Sequence, residues 1–353
     1  MHTWNPKQRG VVGMKKACVF IAIVMALVLC GCTSTQGGTQ GGSPGAETST
    51  AATRHEIAHR YASASEAREL LLSNDKYYAG FSQNDLDFRM QKAGATMEEY
   101  KRFAAEQTRD FTDKEKEAID GLLAKMATAS TERGYTLPPL DEVTFVKTTM
   151  AEECDAGGYT HGTTIFLSAK LLDAQASKGE VDGDPNYVTT FLWHELFHCL
   201  TRCNPSFRAD MYKLIHFTVH DADYTLPPSV MEYHISNPDV EHHNSSATFK
   251  IDGKDVECFT DWITTRHFEK EGDNFFTCAT AALVPVDGTN TYYTPDQATN
   301  FNEVFGQNTH YVTDPEECLA DNFSLAMTYG TKGPDGNGYQ SPEIIEGIIA
   351  RLS

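Results

Sequence analysis

Hydrophobic positions in residues 54–135 recur at the three- and four-residue spacing of amphipathic helices. Ser65 precedes one such run, and Thr96 and Thr112 each precede acidic residues at the start of another. A Ser or Thr followed three residues later by Glu is typical of a helix N-terminus. The pattern therefore predicts a helical segment, which forms either a separate subdomain or part of one larger domain, 54–353.

Beyond Pro138 and Pro139 the pattern changes to short runs rich in β-branched and aromatic residues, which predict strands. Longer runs with apolar positions three and four apart predict helices. The predicted strands are 143–149 and 163–167, followed by a hairpin of residues 249–251 and 254–258. The predicted helices are 187–201, 207–217, 314–329 and 342–352. The mixture places the chain in the α+β class.

The N-terminus has a pattern of its own. Lys15 and Lys16 precede an apolar run, residues 17–29, which is shorter than the roughly 20 residues of a transmembrane helix. Such a start is typical of a secretory signal. The run ends in Leu-Cys-Gly-Cys, which resembles the lipobox of bacterial lipoproteins. That resemblance implies a signal peptide over 1–32 and a lipid on Cys32, whereas the alternative is an uncleaved N-terminal anchor.

Residues 33–53 consist almost wholly of Thr, Ser, Gly, Gln and Ala. This composition buries little apolar surface and predicts a flexible tether. Lipid, tether and domain together indicate an exported lipoprotein of the cell envelope that contacts the membrane through Cys32. By the sorting rules of lipoproteins, Thr33 favours the outer membrane if the source is Gram-negative.

The net charge of the chain bears on which classes of molecule it can bind. The chain has 29 Lys+Arg and 49 Asp+Glu, a formal charge of −20, but its first 32 residues contain four basic residues and no acidic one. The rest of the chain therefore has a net charge of −24. Such an acidic surface repels nucleic acid, so we expect no nucleic-acid partner.

Six of the nine cysteines lie beyond the N-terminal region. An even number in an exported chain predicts disulfides, although six cysteines allow 15 connectivities. Thiolate metal ligands are the alternative, but the chain has no CxxC pair. The candidate disulfide cysteines are Cys154, Cys199, Cys203, Cys258, Cys278 and Cys318.

The sequence His-Glu-Leu-Phe-His at residues 194–198 has the spacing of a helical metal site. Residues four apart lie on the same face of a helix, so His194 and His198 can bind one metal ion. Glu195 can then reach a water molecule on that metal and accept its proton. Because the neighbouring residues are uncharged, we expect this helix to be buried around a zinc ion.

The motif resembles that of the zincin metallopeptidases. The resemblance implies a zincin-like α+β fold, mostly helical, with a small mixed sheet ahead of the motif helix. Residues 314–323 resemble the later helix of the gluzincin, or thermolysin-like, group. By that resemblance Glu317 is the third zinc ligand and Asp321, four residues on, orients a ligand histidine; Glu316 and Glu303 are the nearest rivals of Glu317.

The resemblance also implies a function. The expected activity is hydrolysis of a peptide or protein substrate that binds as an extended strand beside Ile165 and Phe166. Gluzincins stabilise the oxyanion with a histidine after the glutamate, which this chain lacks, so His310 or Tyr311 is the candidate for that role. Two alternatives remain open: a catalytically silent zincin-fold lipoprotein used for binding, and a zinc hydrolase of a non-peptide substrate.

Overall fold

A computed structural model of the chain describes residues 56–353. The predicted signal peptide (1–32), the tether (33–53) and the lipid site Cys32 lie outside the described residues. The part that the structure describes belongs to one compact unit. None of its helices is long and apolar enough to cross a membrane.

Helices and strands alternate in an α+β arrangement, as predicted. The helices are α1 (Ala64–Leu72), α2 (Asp75–Ala79), α3 (Gln83–Met90), α4 (Met97–Ala105), α5 (Asp113–Glu132), α6 (Ala169–Lys178), α7 (Tyr187–Cys203), α8 (Pro205–Tyr212), α9 (Pro228–Met231), α10 (Phe301–Phe305), α11 (Pro315–Tyr329) and α12 (Pro342–Leu352). The strands are β1 (His59–Tyr61), β2 (Thr108–Arg109), β3 (Val143–Thr148), β4 (Gly158–His161), β5 (Thr164–Ser168), β6 (Thr218–Val219), β7 (Ser245–Ile251), β8 (Lys254–Thr264) and β9 (Ala279–Pro285).

A small mixed sheet precedes the α7 helix. Its order is β1-β3-β5-β4, with β2 also paired to β3. The first three strands are parallel, and β4 runs antiparallel to β5 at the edge. Side chains alternate between two faces, so Phe145 and Ile165 pack with α5, α6 and α7, whereas Val146 and Phe166 pack with α1 to α4. The helical segment 54–135 therefore contributes strands to this sheet and helices to both its faces.

A second, four-stranded antiparallel sheet has the order β6-β7-β8-β9. The predicted hairpin is its centre, β7 and β8, and the turn residues Asp252 and Gly253 have φ of 50° and 74°. These positive angles are those of a two-residue hairpin turn that favours Asp-Gly. Strand β9 was not predicted, because its Ala-rich run carries little β-propensity.

The predicted helix starts are confirmed at two of three positions. Thr96 and Thr112 form capping boxes with the glutamates three residues on. Ser65 is not a cap, since Ser63 accepts the hydrogen bond from the Glu66 backbone N–H and α1 begins one residue earlier than Ser65. The helix predicted over 207–217 ends at Tyr212 and continues as a single 3₁₀ turn.

The prediction that Ile165 and Phe166 lie on the edge strand of the sheet was wrong. Residues Ile165 and Phe166 lie in β5, which has β3 on one side and β4 on the other. The free edge beside α7 belongs to β4, which the sequence did not reveal because its Gly-Tyr-Thr-His run is short and polar.

The predicted disulfides are also corrected. In the described residues all six cysteines are free thiols: Cys154, Cys199, Cys203, Cys258, Cys278 and Cys318. Cys199 and Cys203 lie four apart on α7, where Cβ atoms are about 5–6 Å apart, too far for the roughly 4 Å of a disulfide. The thiols of Cys154 and Cys318 instead donate to backbone carbonyls, at 3.5 Å and 3.4 Å.

Candidate metal centre

The site lies where α7 packs against the first turns of α11. His194 and His198 are one turn apart on α7, and both face α11. Asp314 caps α11 by accepting a hydrogen bond from the Glu316 backbone N–H, and Pro315 occupies the first helical position. This start fixes the direction of Glu317, which points at both histidines.

Three ligand atoms converge at this contact. Glu317 Oε2 lies 3.0 Å from His194 Nε2 and 3.7 Å from His198 Nε2. The three groups lie within 4.8 Å of one another, and His198 and Glu317 are fully buried. Zinc bonds of about 2.0–2.1 Å in tetrahedral geometry place ligand atoms about 3.3 Å apart, so the observed spacing suits one small ion.

The second nitrogen of each histidine is held by a carboxylate. His194 Nδ1 lies 2.9 Å from Asp321 Oδ1, and His198 Nδ1 lies 3.2 Å from Glu316 Oε1. Thr309 donates to the other Asp321 oxygen, and the Tyr212 hydroxyl donates to Glu316 at 2.6 Å. Carboxylates in these positions orient the rings, so that each Nε2 atom faces Glu317.

His198 Nε2 provides a test of whether a metal fits. This atom is buried, and it has no hydrogen-bond partner among the described residues. A buried polar atom without a partner costs free energy comparable to a lost hydrogen bond. A cation between His198, His194 and Glu317 would satisfy it, so the residues present fit a metal ion.

The charges around these ligands also favour a cation. Burial opposes ionisation of Glu316, but the hydrogen bond and charge of His198 lower the pKa of its carboxyl to about 2. Burial likewise opposes ionisation of Glu317, and His194 and His198 hold its pKa below the usual range. Both carboxylates are therefore ionised at neutral pH. These lowered pKa values depend on positive charge at the two histidines, which a divalent ion bound to the neutral rings would supply instead.

Glu195 lies beside the three ligands. Its carboxylate accepts a hydrogen bond from the Thr160 hydroxyl of β4 at 2.7 Å, and it is 2% exposed. Burial raises the pKa of Glu195 above its usual range. A carboxylate with a raised pKa is a more effective proton acceptor, and its position between α7 and β4 places it where a substrate on that strand would lie.

The two candidates for stabilising the oxyanion, Tyr311 and His310, have different surroundings in the structure. The Tyr311 hydroxyl donates to Glu317 Oε1 at 3.1 Å, and its ring stacks on His194. His310 is exposed, and the hydrogen bonds of the ligand residues in the described part do not include it. The rival Glu303 lies exposed on α10, while Glu316 faces His198 Nδ1 and not the common point.

Sequence reasoning missed three residues at the site. Thr160 comes from the unpredicted strand β4, and Asn237 and Asp239 come from an irregular loop between α9 and β7. Asn237 donates to Glu317 Oε1, and Asp239 Oδ1 lies 3.9 Å from His198 Nε2. The Asn-Pro-Asp run predicts a turn but carries no metal-ligand spacing, so the sequence held no signal for either role.

The arrangement contains three groups that could hold a metal ion, two carboxylates that contact their histidine rings, and a buried carboxylate, Glu195, that could accept a proton. No protein-family model, curated protein or solved structure matches the chain. The chemistry that this set can perform is activation of a water molecule next to a polarised carbonyl or similar group.

Proposed function

We propose that the protein is an exported zinc-dependent peptidase of the gluzincin kind. The observation that carries the proposal is the convergence of His194, His198 and Glu317 on one buried point with Glu195 beside it. Two histidines and one carboxylate are the ligand set of catalytic zinc sites, which keep a fourth position for water. Structural zinc sites have four protein ligands instead.

Each residue has a distinct role in this proposal. His194, His198 and Glu317 would hold the metal, and Asp321 would orient His194. Zinc, when bound, supplies a Lewis acid that polarises a carbonyl and lowers the pKa of water. Glu195 accepts the proton of the attacking water and delivers it to the leaving nitrogen, since the attack releases one proton and the amine needs one.

Tyr311 is the residue nearest the ligands that can donate a hydrogen bond to a developing oxyanion. Its pKa stays well above the usual value, first because of burial and then because of the Glu317 carboxylate, so the hydroxyl keeps its proton. A protonated hydroxyl beside the ligands can turn from Glu317 to a substrate oxygen. His310, which is exposed, is less suited to this role.

The proposal includes the membrane location. The N-terminal lipobox would supply a lipid on Cys32, and the acidic domain would stay at the envelope by that lipid without a basic patch. Peptide or protein substrates would therefore meet the enzyme at a membrane surface outside the cytoplasm.

A catalytically silent zincin-fold lipoprotein is the second candidate. The observation that favours it is the closure of the site: His198 and Glu317 are 0% exposed, and Asp239 stands against the β4 edge. A silent protein would bind zinc and hydrolyse nothing. The presence of Glu195 argues against this candidate, because a protein that only binds needs no proton acceptor beside the metal.

The test is digestion of a broad peptide library with and without a chelator, using wild type and Glu195→Gln. We expect the variant to keep its zinc and to lose about 10²–10⁴-fold in turnover, because only the proton acceptor is removed. Glu303→Gln, an exposed glutamate, is the matched control and should cleave like wild type. Equal turnover by Glu195→Gln, or cleavage that survives metal removal, contradicts the mechanism; zinc binding without cleavage by any form supports the silent protein.

A further inference from the structure

Two acidic side chains occupy the free edge of β4. Asp239 Oδ1 accepts a hydrogen bond from the Thr160 backbone N–H at 2.6 Å, and Glu241 Oε1 accepts one from the Gly162 backbone N–H at 2.9 Å. Thr160 lies in β4 and Gly162 is the first residue of the turn that follows it, so the two donors lie two residues apart at the end of the free edge. The two carboxylates therefore stand where the carbonyls of an added extended peptide would stand.

The same segment closes the open side of the candidate metal centre. Asp239 is 7% exposed, and its carboxylate forms a group with the Glu195 carboxylate and the His198 imidazole, whose ligand atoms lie within 4.8 Å of one another. Two positions before it, the Asn237 amide donates to Glu317. A substrate carbonyl approaching Glu195 along β4 would need the space that Asp239 fills.

The two ends of this closing segment, Asn237–Glu241, are held differently. Upstream, the backbone of Ser236 is fixed by two fully buried side chains: Asp85 accepts from its N–H and Arg89 donates to its carbonyl, both at 2.7 Å. Downstream, Lys76 donates to the Glu241 carbonyl at 2.7 Å from a side chain that is 64% exposed. The downstream end is the one that can release with little loss of buried structure.

Arg202 of α7 completes the closure. It donates to the Asp239 carbonyl at 2.9 Å, and its Nε lies 3.1 Å from Glu241 Oε1. The polar residues Asn237, Asp239 and Glu241 are thus held by hydrogen bonds and ion pairs, whereas Pro238 is buried and Val240 half-buried between them. A hydrogen bond of this kind can be exchanged for one to water or to a competing backbone at modest net cost, provided that no buried partner is left unpaired.

We propose that Asn237–Glu241 is an internal occupant of the substrate edge, so that the structure is a closed form of the enzyme. Substrate binds when the segment leaves β4 and frees the N–H groups of Thr160 and Gly162 for the peptide backbone. The inference rests on the proposed function, because it presumes that β4 and the metal centre serve one substrate.

The test measures access to the metal in protein loaded with Co²⁺, by titrating acetohydroxamate and following the visible absorption. Asp239→Ala/Glu241→Ala removes both acceptors. Since an apparent dissociation constant rises as the competent fraction falls, we expect this variant to bind acetohydroxamate at least about tenfold more tightly than wild type. The control is Asp141→Ala/Asp255→Ala, which removes two exposed carboxylates elsewhere and should match wild type.

Two further measurements keep the test decisive. Amide hydrogen exchange at Thr160 and Gly162 should be faster in Asp239→Ala/Glu241→Ala than in wild type, because their acceptors are gone. Lys76→Met, on the surface, should raise the acetohydroxamate affinity in the same direction even if the double variant does not fold.

Failure of this inference and failure of the proposed function give different results. If wild type, the double variant and Lys76→Met bind acetohydroxamate equally, the closing segment is no occupant and the inference is overturned, whether or not peptides are cleaved. If no form binds Co²⁺ or zinc, the proposed function itself fails.

Discussion

At the scale of single residues, neighbouring glutamates acquire different roles from their partners. Glu316 and Glu317 are adjacent, yet one faces His198 Nδ1 and the other faces both Nε2 atoms. Glu317 and Asp321 were proposed as a pair from the resemblance of residues 314–323 to the later helix of the gluzincins. The role of Glu316 depends on Tyr212 and on the packing of α8, which no local pattern reveals.

Glu152 is a buried carboxyl outside the candidate site and allows a test by pH. Its Oε2 atom has no hydrogen-bond partner among the described residues, and burial raises its pKa to about 7. The folded state therefore binds this proton more tightly than the unfolded chain does. Its contribution to stability is present at acid pH and is lost as the pH rises from about 4.3 through about 7.

Glu152→Gln cannot ionise, so we expect this variant to keep the stability that wild type loses as the pH rises. Between pH 4 and pH 8, the free energy of unfolding of the variant should rise by about 3 kcal/mol relative to that of wild type. Urea unfolding at both pH values measures the difference, with Glu98→Gln, an exposed glutamate, as the control. A difference between variant and wild type that does not change with pH would refute the assignment.

At the scale of elements, α3 connects the helical segment to the candidate site. Arg89 is fully buried and binds Asp85 on its own helix, Glu153 at 2.8 Å and the Ser236 carbonyl. The chain direction beyond Ser236 sets Asn237 against Glu317. The capped helix α3 has a local signature, but its partners lie 64 and 147 residues away, and sequence patterns do not reveal contacts at that distance.

Arg89→Met should therefore destabilise the fold strongly. It leaves two buried carboxylates without their cation, a change that typically costs about 3–5 kcal/mol. Arg60→Met, which breaks the exposed pair with Glu66, should cost about 0–1 kcal/mol. Urea unfolding of both variants measures these costs. Equal costs would show that the contacts of Arg89 do not hold the upstream end of the closing segment.

At the scale of the whole molecule, features that depend on neighbours along the chain were predicted better than features that depend on distant contacts. Capping boxes, hydrophobic periodicity and the Asp-Gly turn depend on neighbours along the chain, so α4, α5, α7, α11 and the β7–β8 hairpin were predicted within a few residues. Strand order, the β4 edge and the loop at Asp239 depend on distant contacts and were missed. The disulfide prediction was wrong because it rested on an expected export and an even cysteine count, and neither indicates where each thiol packs.

The candidate ligands join parts of the chain that are far apart in sequence. His194 and Glu317 are separated by 123 positions, and their helices pack through aromatic contacts such as Trp193 with Phe323 at 6.0 Å. A metal at this contact would couple its binding free energy to the packing of α7 on α11. The proposed function thus depends on the presence of a metal ion at this contact.

The most direct test is the metal content of protein purified without a histidine tag, for wild type, His198→Ala and the control His242→Ala. His242 is an exposed histidine away from the three ligands. We predict about one zinc per chain in wild type and in the control, and loss of zinc in His198→Ala, because two ligands hold zinc far less tightly than three. Wild type without zinc, or His198→Ala with undiminished zinc, would contradict the account.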